Sequence, residues 1–178
     1  MSARKPLWRQ RYERFVADSE GVVAVEFAMI AFPFFILTIG LMEVALIFLM
    51  STTLDYGTER ASRQIRTGEF VGSGLSAAGF KQDICDNLFG LMDCDGKLHV
   101  DVKTLDDFGD ADLSMPIDDD GNFTPDADFT LGDRDSLVLV RVYYEWDLIT
   151  PMVSQAMANS GGSRRILASV VAFQNEPF

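Results

Sequence analysis

Residues 21–50 read GVVAVEFAMIAFPFFILTIGLMEVALIFLM, and the reading of this run decides the fold. As a helix, residues 22–50 extend about 43 Å at 1.5 Å per residue, against about 30 Å of bilayer hydrocarbon. Residues 27–42 carry no charge. A cleavable secretory signal has an apolar core of only about 7–15 residues followed by a small-residue site, whereas Ser51-Thr52-Thr53 follows here. The run is therefore predicted to span a membrane. Glu26 lies five residues after Gly21, and a carboxylate carried to the bilayer centre costs roughly 2.5–3.5 kcal/mol, so it needs a partner. Cleavage after Gly21 would supply one: the new α-amino group of Val22 has a reference pKa of about 7.7–8.0 and is largely cationic at neutral pH. The ammonium of one subunit could then meet Glu26 of its neighbour. The structural alternative for Gly21 is a flexible hinge before the helix.

Charge gives the orientation. Residues 1–20 hold five basic and three acidic side chains, while residues 51–178 hold ten basic and twenty-two acidic ones, within a chain of net charge −12. Basic residues before a span keep the N-terminus cytoplasmic and place the acidic part outside. An acidic domain with no basic stripe excludes a nucleic-acid groove. Of 178 residues, enough remain after the span for one small domain with a modest core. The expected division is a cytoplasmic leader at 1–21, a transmembrane helix at 22–50, a juxtamembrane extension at 51–68 and a periplasmic domain at 69–178.

Beyond Met50, Leu54, Gly57, Ala61 and Ile65 mark one helical face, which packs on the chain's own domain or on the helices of other subunits. Gly68 suits the end of that helix. Pro33 is tolerable within a membrane helix. Glu43 falls about 100° around the helix from Glu26, so the two cannot act as a pair. It either snorkels to the outer interface or makes an intramembrane contact with a polar group of another subunit. Residues 76–92 have the 3–4 period of an amphipathic helix carrying Cys85, and Leu98, Val100 and Val102 alternate as a strand. Residues 105–135 read as a long acidic loop, 137–146 as the strongest strand, and 166–173 as a third. Thr150-Pro151 starts a short helix that ends near Gly161-Gly162. The fold class is α+β and pilin-like, with a long transmembrane helix, a short antiparallel sheet and two further helices.

Catalytic chemistry finds no constellation. Gly72-Ser73-Gly74 lacks the G-x-S-x-G of a nucleophile elbow, and His99 sits alone in an alternating strand. Asp118-Asp119-Asp120-Gly121 fails as an EF-hand loop, since Pro116 takes its first position and no Glu its twelfth; a solvated charged loop is expected, with no metal and no cofactor. Cys85 and Cys94, the only cysteines, would lie in an oxidising compartment and are expected to form a disulfide worth about 2.7 kcal/mol for so short a loop.

Gly21 with Val22, Glu26-Phe27-Ala28, Pro33 and Gly40-Leu41-Met42-Glu43 resembles the N-terminal module of TadE-like proteins, and a glycine, four residues, Glu and an aromatic is also the processing signature of type IV-like prepilins. Ala61-Ser62-Arg63-Gln64-Ile65-Arg66-Thr67-Gly68, Thr150-Pro151 and Asn175-Glu176-Pro177 resemble later parts of the same family. The resemblance implies a minor pseudopilin of a tight-adherence (Tad, Flp-type) pilus, serving adhesion and biofilm formation without enzymatic activity. It implies that a prepilin peptidase of the bacterial inner membrane cuts after Gly21, and that the partners are inner-membrane lipid, a second pseudopilin, the major pilin and the assembly platform. Glu20 precedes the cut, where many such leaders are neutral or basic. The alternative from another class is an uncleaved, single-pass protein whose periplasmic domain is a sensor or binding module.

Overall fold

A computed structural model describes residues 20–69, 74 and 76–177. The leader expected at 1–21 thus lies outside the described residues up to position 19, as do Gly72 and Ser73. The chain divides into two compact units after Leu41, the second running Met42–Phe178.

Helix α1 spans Glu20–Arg66 and passes through Pro33 without interruption. Hydroxyls within it are satisfied by their own helix: Thr38, Thr53 and Thr58 each donate to the carbonyl four residues back. Gly68, in the left-handed region at φ 73°, ends it by donating to the Ile65 carbonyl.

In the second unit α1 shows a sharply defined buried stripe. Glu43, Ile47, Met50, Leu54, Thr58, Ala61 and Ile65 are all buried at three- and four-residue spacing. The stripe expected from Leu54 to Ile65 packs on the chain's own domain, and it begins earlier, within the part of the helix assigned to the span. Gly57 lies on it because α2 comes close: a Cβ there would stand 3.0 Å from Leu88 Cδ2 and 3.4 Å from the Ile84 carbonyl oxygen.

Helix α2 covers Ala77–Asp86, with the Ser76 hydroxyl accepting from the Gly79 amide as N-cap. It is shorter than the 76–92 expected. Asn87 closes it, donating from its amide to Ile84 and from its side chain to Asp83, and Phe89 and Gly90 then turn through the left-handed region. Leu88 and Met92 stay buried, so the apolar period outlasts the helix.

Three strands follow: β1 Leu98–Leu105, β2 Leu137–Asp147 and β3 Arg164–Gln174, antiparallel in the order β1-β2-β3. Between the last two, α3 spans Pro151–Met157 after Thr150. One face of the sheet, with Leu98, Val102, Val138, Val140, Val142, Tyr144, Leu167 and Phe173, joins Leu54, Phe80, Ile84 and Leu88 of the helical side in one core.

The opposite face departs from expectation. Leu139, Arg141 and Tyr143 are as buried as their core-facing neighbours, because the acidic segment after β1 folds back over them. Val102 donates to the Asp128 carbonyl and accepts from the Thr130 amide, so the segment runs along the outer edge of β1. Phe123 stacks edge-on against His99 and Tyr143, with centroids 5.2 and 5.6 Å apart. The expected solvated loop is thus a strap, held by aromatic anchors whose wide spacing shows no period. It returns through Gly132, at φ 70°, where a Cβ would stand 2.7 Å from Ser136 Cβ. Only glycine combines that backbone with that approach.

Candidate functional site

The apolar helix of the first unit is the candidate site, because among the described residues its side chains are bare. From Val22 to Ile39 the large apolar side chains other than the half-buried Ile36 are exposed, with Phe27, Met29, Ile30 and Phe32 each 70–73% accessible. Glu26 is exposed among them. A Cβ on Gly21 would meet nothing within 4 Å, and the residue lies inside the helix. Packing therefore gives no reason for glycine there, although glycine costs a helix roughly 0.5–1 kcal/mol relative to alanine. Among the described residues this is one helix long and apolar enough to cross a membrane. An exposed apolar surface of this length requires lipid or other apolar helices around it.

Glu43 is placed differently from either sequence expectation. Its carboxylate is 3% exposed and turned into its own domain. It accepts from the backbone amides of Ile149 and of Thr150, the latter at 3.0 Å. These are donors left over at the start of α3, where Thr150 provides no side-chain cap. The contact is within the chain, and the physical reason is the stripe: Glu43, Ile47, Met50 and Leu54 stand on one helix face. That spacing was the signal available in the sequence, hidden because the residues around it are also apolar.

Cys85 and Cys94 form a disulfide with Cα atoms 6.2 Å apart, tying the end of α2 to the approach to β1. Beside it the Asp93 amide donates to the Tyr144 hydroxyl at 3.2 Å.

The polar face of the sheet is built around a cross-strand pair. Asp101 and Arg141 stand opposite one another in the β1–β2 register, 1% and 5% exposed. Arg141 donates from Nε at 2.8 Å and from Nη2 at 2.6 Å to Asp101 Oδ2, and from Nη1 to the Asp112 carbonyl. Asp101 Oδ1 accepts from the Asp128 amide. Burial works against the guanidinium's charge, but its bond to Asp101 together with the nearby Tyr143, Asp101 and Asp112 outweighs this and raises its pKa above the ordinary value. Lys103 bonds Asp126 at 2.8 Å and lies 3.3 Å from Asp128, which raises the lysine and lowers Asp126. His99 is joined to Glu145 at 3.0 Å. These contacts knit the strap to the sheet. Among the described residues, no three His, Cys, Asp or Glu side chains converge as a metal site would need.

The geometry defines a class: a small α+β domain folded onto the distal part of a helix whose proximal part is apolar and bare. Residues 21–63 match the family model described as TadE-like protein. That stretch contains Gly21, Val22, Glu26, Phe27 and Glu43, and the match supports a protein associated with Tad pili. Searches of curated proteins and of solved structures found no match.

Proposed function

We propose that this protein is a minor pseudopilin of a Tad/Flp-type pilus, cut after Gly21 by a prepilin peptidase, whose domain primes or positions assembly at the bacterial inner membrane. In this reading it is not an enzyme. The helix beyond the cut waits in the bilayer until Glu26 pairs with the Val22 ammonium of a neighbouring subunit, a partner pseudopilin or the major pilin, at the assembly platform. The N-terminus begins in the cytoplasm and the domain lies in the periplasm. The carrying observation is the bare apolar helix with one carboxylate near its start, preceded by a glycine that the fold does not require.

Mass spectrometry of the membrane-extracted protein tests the reading. A mature chain starting at Val22 is expected, and Gly21→Val should accumulate the precursor. Glu26→Gln should insert and be cleaved yet fail to assemble, because the change removes the ion pair and lightens the insertion cost. An intact leader in the wild type would instead support the uncleaved, tethered sensor or binding module. Wild-type piliation in Glu26→Gln cells would refute the pairing step.

A further inference from the structure

The turn that Glu43 holds has a use beyond folding. Ile149 sits in it 75% exposed, the most exposed of the large apolar residues among those described. Its backbone amide is bonded to Glu43, so it lies beside that turn of α1. On the uncovered face of α1 the side chains remain apolar past this level: Val44, Leu46, Phe48 and Leu49 are 40–71% exposed. Exposed polar residues first return at Thr52 and Asp55. Leu46 stands about 60° round the helix from Glu43, so it is the exposed apolar side chain of α1 that flanks the turn carrying Ile149. Val44 to Leu49 all belong to the second unit, so the apolar helix surface beside the turn is the domain's own.

We propose that the turn at residues 147–150 is a second membrane-contact site, with Ile149 inserted at the acyl–headgroup boundary and Glu43 serving as its positioning residue. The inference rests on α1 being embedded in a bilayer, as proposed above. The chemistry explains why a carboxylate stands in an apolar stretch. Backbone donors buried at the foot of such a turn must be satisfied by the protein. Ile149 and Thr150 present two such donors in succession, and the two oxygens of Glu43 take one each. A glutamine offers a single carbonyl oxygen and would turn an N–H₂ group towards one of the two amides. The occupant is lipid rather than protein because the patch continues the apolar surface of the helix without a break.

The test uses the full chain in lipid vesicles. Both native cysteines are bonded to each other, so Ile149→Cys introduces the only free thiol, to which a nitroxide is attached. Power-saturation measurements then compare accessibility to oxygen, which partitions into lipid, with accessibility to a water-soluble nickel chelate. Phe35→Cys on α1 and Leu113→Cys on the strap serve as references, with wild-type side chains 57% and 68% exposed. The label at 149 should favour oxygen, as at 35, while the label at 113 favours nickel. Adding Glu43→Gln should shift the label at 149 towards nickel.

A label at 149 that favours nickel while 35 favours oxygen overturns the proposal and leaves the embedded helix standing. Nickel access at both positions refutes the embedded helix itself. A label at 149 shielded from both agents means that protein covers the turn, and also overturns the proposal. An unchanged ratio in Glu43→Gln removes Glu43 from its positioning role.

Discussion

Asp101→Ala is the sharpest perturbation of the domain. It leaves Arg141, 5% exposed and bonded through Nε and Nη2 to the lost carboxylate, with the Asp112 carbonyl as its hydrogen-bond acceptor. The exposed Asp126 and Asp112 carboxylates stand 3.6 and 3.9 Å away, which sets the loss at the lower end of the range for a broken buried pair. Removing one partner of a buried ion pair costs about 3–5 kcal/mol, chiefly because the other charge remains buried without compensation. The Asp128 amide loses its acceptor as well, worth about 1 kcal/mol more if water cannot replace it. Replacing both members, Asp101→Leu with Arg141→Met, removes both desolvation costs and should fall within about 1–2 kcal/mol of the wild type. Hydrogen exchange of the β1 and β2 amides in the full chain reads this directly. A loss of 3 kcal/mol speeds globally exchanging amides by more than about 100-fold. The double variant should recover most of that. A single variant costing under about 1 kcal/mol would place the pair in the regime of exposed ion pairs and refute the argument that the strap seals it.

Other outcomes follow from the same geometry. Replacing Cys85 and Cys94 together by serine should cost up to about 2.7 kcal/mol, read by denaturant unfolding, and no change in midpoint would mean that the loop gains nothing from closure. Gly132→Ala forces an L-residue to φ 70° and drives its Cβ into Ser136 and Thr104, so a loss of about 2–4 kcal/mol is expected from strain and overpacking together. Lys103 holds Asp126 below its ordinary carboxylate value of 3.8, so this bond supports the folded strap at neutral pH and is lost as pH falls through the lowered folded value. Acid should therefore loosen the strap near residue 126, seen as faster exchange of the Asp128 and Thr130 region, and Asp126→Asn should reduce that pH dependence.

Much of the architecture was legible because its signals are local. The apolar run, the 3–4 period after Met50 and the alternation in β1 and β2 each specify an element without reference to distant residues. What stayed hidden depends on contacts between distant parts. Residues 43–50 read as membrane because nearly every position there is apolar, which erases the contrast that marks a buried face. The strap read as solvated because its carboxylates are numerous and outward, with Asp112, Asp126 and Asp128 side chains 60–70% exposed. Its apolar tethers, Phe123, Phe129 and Leu131, follow no periodic spacing. The partner of Glu43 is a backbone 106 residues away, which no sequence pattern announces. The candidate processing residues Gly21, Val22 and Glu26 were read from a local pattern six residues long.

The end of the chain returns to the end of the helix. Asn175 donates to the Leu131 and Asp133 carbonyls, and the Glu176 amide donates to the Arg66 carbonyl, with the two side chains 3.6 Å apart. With Glu43 gripping the turn at Ile149 and Thr150, the domain is fastened to one helix at two stations, about 35 Å apart at 1.5 Å per residue. Tension drawn along that helix is shared between the two stations and the packed stripe between them, which are sheared in parallel instead of being peeled open one by one. Mechanically the domain is a splint on the helix rather than a pendant at its tip, and α1 cannot be stretched between the stations without first detaching the sheet.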